Sequence, residues 1–298
     1  MGMEFSGGLR YPERNADDGV SRAMSLPDLA SDYALTEGQI SGYRKNGFAL
    51  LRGLSSPEET AAYRSVLSAI TDEFAKNYPP LEKRDTYGKA FIQLGNLWEA
   101  SPDAAKFSLA RRFAKVAAEL MGVDGVRLYH DQALYKEAGG GHTPWHQDQQ
   151  YWPLDGARCV TLWMPLVDCS AEMGTMRFAA GSQTLGYLGP LNISDDSEKQ
   201  LSDLVAEKGF PITYAGDMAA GDATFHNGWT IHGAPGNVSA TTTREVMTVI
   251  YVEDGARITE PDHGARVSDL ARWFPGLKPG DKAASPLNPL IYHEDLLP

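Results

Sequence analysis

The sequence predicts a mainly β fold with helices (α+β), an antiparallel sandwich or barrel preceded by a mostly helical N-terminal third. Three observations carry that expectation. After Gly122 the chain breaks into short apolar runs bounded by Gly, Pro, Asp or Asn, as strands joined by turns do. Before Gly122 the apolar residues recur at helical spacing instead. The 298 residues are 42% apolar and 10% aromatic, enough for a core, and this excludes wholesale disorder.

Residues 1–34 are polar and turn-rich and read as an arm over the surface. Thr36 to Gly47 reads as a short helix, with Thr36 as N-cap and Gly47 just past the end. Phe48 to Arg52 follows as a strand. Ser56-Pro57-Glu58-Glu59 opens a second helix, with Ala62, Val66, Ala69, Ile70 and Phe74 along its face. A third amphipathic helix is expected from about Pro102 to Met121, with Phe107, Ala110, Phe113, Val116, Ala117 and Leu120 on one side. The β runs are Val126–Leu134, Cys159–Leu166, Thr175–Phe178, Ile212–Tyr214, Ala223–Phe225 and Val246–Val252. Asp195 to Lys208 reads as a polar helical insertion. The proline-rich end, around Trp273-Phe274-Pro275-Gly276, is expected to cover the sheet or close over the barrel mouth.

Charge narrows the function classes. Lys plus Arg number 27 against 39 Asp plus Glu, a net charge of −12, which argues against a nucleic-acid or anionic-membrane surface. No apolar run approaches the roughly 18 residues of a membrane span, and residues 1–10 lack the pattern of a signal peptide. Met1-Gly2 with Ser6 fits the loose myristoylation pattern, which matches by accident in many chains. Cys159 and Cys169 make no disulfide framework and read as reduced thiols, so a cytoplasmic location is expected.

The chemistry concentrates in two stretches. In His142-Thr-Pro-Trp145-His146-Gln147-Asp148, an extended chain would set His146 and Asp148 on one face, about 7 Å apart. An imidazole and a carboxylate so placed suit one metal ion. The second stretch runs from Gly221-Asp222 through His226 and Trp229 to His232-Gly-Ala-Pro-Gly-Asn237. A downstream His would complete a 2-His-1-carboxylate set, which leaves open positions on an octahedral Fe(II). Twelve residues beyond His232, Arg244 enters the apolar run Val246–Val252. A guanidinium entering a buried strand requires a carboxylate partner.

These residues, with Gly174-Thr-Met-Arg-Phe-Ala-Ala-Gly181-Ser182, resemble the phytanoyl-CoA dioxygenase family of Fe(II)/2-oxoglutarate-dependent oxygenases from about Leu35 to Val252. The resemblance implies a double-stranded β-helix (jelly roll, cupin-like) core over about 123–255 in a single domain of 35–298, with 256–298 as cover. It implies His146, Asp148 and His232 as iron ligands, Arg244 on the far carboxylate of 2-oxoglutarate, and O2 as the other cosubstrate. Lys89, Gln132 and Trp163 match further cosubstrate contacts. The family often has Ser two residues after the distal His; here Ala234 stands there, and Thr242 is expected to supply a replacement hydroxyl. Related halogenases carry a small residue where this chain has Asp148, so a carboxylate favours hydroxylation or another oxidation.

Tyr151, Trp152, Met176, Arg177 and Trp229 flank the motif strands and are candidates for the substrate pocket. His226, six residues before His232 and on the same face by strand alternation, reads as a satisfied structural histidine, with pocket lining as the alternative, and His130 and His142 read as packing or loop residues. The expected function is oxidation of a small molecule, with release of succinate and CO2. The acidic surface favours a free neutral or cationic substrate over an acyl-CoA. The rival class is a cupin-like non-redox metal protein, a zinc hydrolase or small-molecule binder.

Overall fold

The computed structural model describes residues 25–296. The first helix, α1 (Glu37–Asn46), starts where Thr36 accepts the Gln39 amide and ends where Gly47 turns left-handed at φ +80°. Strand β1 (Phe48–Leu51) follows, then α2 (Pro57–Ala75), opened by a capping box between Ser56 and Glu59. Short pieces come next: α3 (Thr86–Ala90), β2 (Ile92–Gly95) and α4 (Leu97–Ala100). The expected third helix is two helices, α5 (Pro102–Ser108) and α6 (Arg111–Met121). Ala110 is extended, at φ −62° and ψ 122°, and breaks the run. Ser108 ends the first piece by donating its hydroxyl to buried Asp131 at 2.6 Å. The apolar face survives the break, since Phe107 and Phe113 meet edge to face at 5.3 Å.

Beyond Gly122 come β3 (Gly125–Tyr135), β4 (Thr143–His146), β5 (Cys159–Pro165) and β6 (Arg177–Ala179). The insertion forms α7 (Asp195–Lys208), and β7 (Ile212–Tyr214), β8 (Ala223–Asn227), β9 (His232–Ala234) and β10 (Val246–Glu253) complete the core. The cover contains α8 (Gly264–Trp273) and β11 (Leu290–His293), which the sequence reading left without regular structure.

Two antiparallel sheets form a double-stranded β-helix. The larger runs β1-β8-β5-β10-β3-β11, with β2 also on β3; the smaller runs β4-β9-β6-β7. The strands of the larger sheet are buried on both sides, and their period of two divides the work. Leu162, Met164, Phe225, Met247 and Val249 join the helical layer in one apolar core. The alternate residues, Thr161, Trp163, His226, Thr248 and Ile250, line a cavity between the sheets.

The described part of the N-terminal arm has no regular structure, but it is tied down. Leu29 is buried, and Tyr63 donates its hydroxyl to the Pro27 carbonyl at 2.7 Å. The Met1–Ser6 pattern lies outside the described residues. Among the described residues, no helix is long and apolar enough to cross a membrane.

Candidate active site

The register of β4 on β9 sets His146 opposite His232, with ring centroids 4.1 Å apart. His146 Nδ1 lies 2.8 Å from the Pro144 carbonyl, and His232 Nδ1 lies 2.9 Å from the Thr230 carbonyl. A carbonyl only accepts, so each Nδ1 carries the proton and donates, leaving each Nε2 lone pair free. Asp148 arrives by a different route from the extended segment expected. The strand ends at His146 and the chain coils into one 3-10 turn, Asp148–Tyr151. The turn carries the carboxylate back, so that Oδ1 lies 3.4 Å from His146 Nε2 and 3.5 Å from His232 Nε2.

The other carboxylate oxygen is held. Oδ2 accepts from the Thr161 hydroxyl at 2.7 Å and from His226 Nε2 at 3.1 Å. His226, expected to be a satisfied structural histidine, lines the cavity and steers the carboxylate so that Oδ1 faces the imidazoles. Burial alone would raise the Asp148 pKa, but His232, His146 and His226 outweigh it and hold the group well below the usual carboxylate range. Burial, then the neighbouring imidazoles, push His232 well below the usual histidine value, so it is neutral. The candidate ligand atoms of His146, Asp148 and His232 all lie within 4.8 Å of one another. Two imidazoles and one carboxylate on a buried face fit a divalent first-row metal with open positions.

The triad lies in a cavity of about 240 Å³. Gln132 and Trp163 line it, and so does Arg244, whose guanidinium carbon lies 5.3 Å from the centre of the Trp163 ring. Arg244 is 1% exposed; its Nη1 donates to the Gly174 carbonyl at 2.5 Å, and its Nε has no partner. Gly174 permits this approach, because at φ +79° a Cβ would meet the Pro235 carbonyl at 2.3 Å. Burial pushes the Arg244 pKa down to about 10. Beside it Lys136, also fully buried, donates to the Gly141 carbonyl and reaches the Thr143 hydroxyl at 3.4 Å. Burial and then Arg244 push Lys136 down to about 6, and no carboxylate acts on either group. Two buried bases without a counterion fit an anionic ligand such as a dicarboxylate.

Tyr151, Trp152 and Met176 line the cavity as expected. Lys89, Thr242, Trp229 and Arg177 are not brought to it. Lys89 is exposed on α3, and its backbone is engaged at both groups, the amide donating to the Asp85 carbonyl and the carbonyl accepting from the Gly141 amide. Thr242 is exposed because Asn237 turns the loop before Arg244, donating to the Lys136 and Thr242 carbonyls at 3.0 and 2.8 Å. Trp229 packs on Tyr187 outside the cavity. Arg177 points away from the neighbouring Met176, pairs with Glu198 of α7 at 2.7 Å and lies over Trp145.

Sequence reasoning passed over Thr161 and Thr248, which strand alternation from Trp163 and Ile250 would have found. It took His130 as packing, and that side chain faces the cavity while resting on Trp273. Thr143 lies across the ladder from Ala234, a pairing only the register reveals. Asp269, Arg272 and Trp273 of α8 close the lining, at the helical spacing of one face.

A family model described as phytanoyl-CoA dioxygenase (PhyH) matches residues 43–246. An ectoine dioxygenase of Bordetella parapertussis is 25% identical over 229 residues, 69% of this chain and 72% of that relative. The solved structure of SnoK, a non-heme alpha-ketoglutarate-dependent carbocyclase of nogalamycin biosynthesis, superposes with a TM-score of 0.68. It is 23% identical and covers 86% of this chain and 96% of that one. The epimerase SnoN, solved with Fe3+, alpha-ketoglutarate and nogalamycin RO, gives a TM-score of 0.68 at 24% identity, with coverage of 86% and 98%.

Proposed function

The chain belongs to the phytanoyl-CoA dioxygenase family, and on that premise we propose an Fe(II)- and 2-oxoglutarate-dependent oxygenase that hydroxylates an unactivated C–H bond of a small molecule. One observation carries the reading: the His146, Asp148 and His232 donor set shares a cavity with a buried guanidinium, Arg244, that has no carboxylate partner among the described residues. Hydrolysis at a zinc ion does not require such a dicarboxylate pocket.

When bound, the iron, 2-oxoglutarate and O2 supply the oxidising power, with succinate and CO2 as coproducts; the chain supplies position and exclusion of water. His146 and His232 are oriented as ligands by their carbonyl partners, and Thr161 with His226 fixes the Asp148 carboxylate. Arg244 grips the far carboxylate of the cosubstrate, with Gln132 and Trp163 as walls of the same subsite. Thr143, rather than Thr242, supplies the hydroxyl missing at Ala234, with Lys136 behind it. Trp152, Phe91 and Met176 keep the reacting face apolar. The two cysteines are free and buried, which suits a reducing compartment such as the cytoplasm.

The test is an anaerobic titration followed by admission of air. Adding Fe(II) and then 2-oxoglutarate is expected to give a weak visible charge-transfer band, and air is expected to release succinate. A product heavier by one oxygen atom supports hydroxylation; one lighter by two hydrogens keeps the oxygenase but reassigns its outcome. No band and no succinate would sink the reading.

A further inference from the structure

With the metal ligands and Arg244 given to iron and cosubstrate, the remaining charged residues of the cavity lining are Asp269 and Arg272. Both stand on α8, three residues apart and therefore on one face. The helix lies beyond residue 246, where the family match ends. Asp269 accepts two hydrogen bonds from neutral donors: its Oδ2 takes the Tyr129 hydroxyl at 2.5 Å, and Trp273 adds a further one. Arg272 lies over the Trp273 ring at 4.3 Å. Among the described residues it forms no ion pair, with Asp269 or with any other acid. The acid and the base thus line the cavity without touching, although the Arg272 charge acts on Asp269.

The neighbouring His130 does not supply the missing cation. Burial, then Arg272, push its pKa down to about 3, so it is neutral. Burial raises the Asp269 pKa to about 7, against the opposing pull of the Tyr129 hydroxyl and the Arg272 charge. Size adds a second limit. The cavity, about 240 Å³, is below the usual range of roughly 300–1,000 Å³ for ligand sites, and a five-carbon dicarboxylate must share it.

We propose that Asp269 and Arg272 form a charge clamp for the substrate, and that the substrate is a small zwitterion. Its ammonium or amidinium group meets Asp269 and its carboxylate meets Arg272. The assignment rests on the oxygenase reading for the identity of the remaining cavity, but not for the clamp itself.

The test uses three probes with the same five-membered ring: L-proline, pyrrolidine and cyclopentanecarboxylate. Binding to the iron-loaded protein with 2-oxoglutarate present, without air, is followed by saturation-transfer NMR; cosubstrate affinity is measured separately by calorimetry. L-Proline is expected to bind about tenfold or more tightly than either singly charged probe, the scale of one charge-assisted hydrogen bond. Asp269→Asn should reduce proline to the level of cyclopentanecarboxylate, and Arg272→Gln should reduce it to the level of pyrrolidine. Asn keeps an acceptor for Tyr129, and Arg272 is an exposed helix residue, so the second variant tests the clamp even where the first disturbs folding. Equal binding of the probes, no binding at millimolar concentration, or a proline preference that survives both substitutions overturns the proposal. A clamp that behaves as expected in a protein that binds no 2-oxoglutarate would leave the clamp standing and reject the oxygenase reading.

Discussion

The two sides of the cavity are built on different principles. The metal side comes from β4, β5, β8 and β9, where strand register and a period of two bring His146, His232, Thr161 and His226 together, with Arg244 added from a bridge to Lys136 just before β10. The facing wall comes from one late helix, α8, docked through Trp273 and Phe274 onto Tyr129 and Trp152. The first side lies within the family match and the second outside it. On the proposed clamp, reaction class rests on short patterns on a rigid sheet, and substrate choice on a helix that carries none of the candidate metal ligands.

Substitution of the metal side is the strongest way to sharpen that contrast. His232→Ala or Asp148→Ala is expected to abolish succinate formation while leaving the circular-dichroism spectrum and thermal midpoint close to the parent's. The loss should exceed the roughly 10–100-fold that removing an outer partner of a metal ligand costs. Retained turnover would remove the triad from the metal. Arg244→Gln comes next. A charged hydrogen bond contributes about 1.5–3 kcal/mol, so the calorimetric Kd for 2-oxoglutarate should rise roughly 10- to 150-fold. Asp269→Asn should leave that Kd unchanged. If both variants weakened 2-oxoglutarate alike, the division between the two walls would fail.

How much of this was legible follows the same line. Thr36 and Gly47 announced both ends of α1, and the apolar run Val246–Val252 announced β10, because caps and strand periodicity are local signals. The triad was legible as three residue types in order, although the path to Asp148 was misjudged: a single 3-10 turn looks no different from a strand end in sequence. Thr242 was misplaced because strand alternation was extended back from Arg244 into a loop that Asn237 folds. Lys136 and Thr143 were invisible, since their meeting depends on the β4–β9 register and the bridge between Lys136 and Arg244. The α8 wall was hidden for a related reason: a short, mostly polar helix shows its inner face only once it has docked.

The outer partners of Asp148 give a smaller effect on the metal side. Thr161→Val and His226→Gln each disturb the oxygen that the metal does not need, and so act through orientation. Each is expected to weaken Fe(II) binding by about 10- to 100-fold in a chelator competition, with the fold retained. An unchanged metal affinity in both variants would reduce Thr161 and His226 to packing groups.

Lys136 carries the smallest effect and the one with a sign of its own. In the free protein burial and Arg244 hold its pKa near 6, so at neutral pH the amine is mostly uncharged. A dianion gripped by Arg244 stabilises the ammonium form and raises that pKa. Binding 2-oxoglutarate above pH about 6 therefore takes up a proton, and affinity falls as pH rises, because the neutral amine must first be protonated. Calorimetry in two buffers of different ionisation enthalpy should register the uptake. The affinity should drop by about three- to tenfold between pH near 6.5 and pH near 8.5, the scale of one weakened polar contact. Lys136→Met, which keeps the volume of the stem, should abolish the uptake and flatten the profile, leaving Arg244 to hold the carboxylate alone. Undiminished uptake in that variant would move the proton to another group and leave Lys136 a spacer between Phe91 and Thr143.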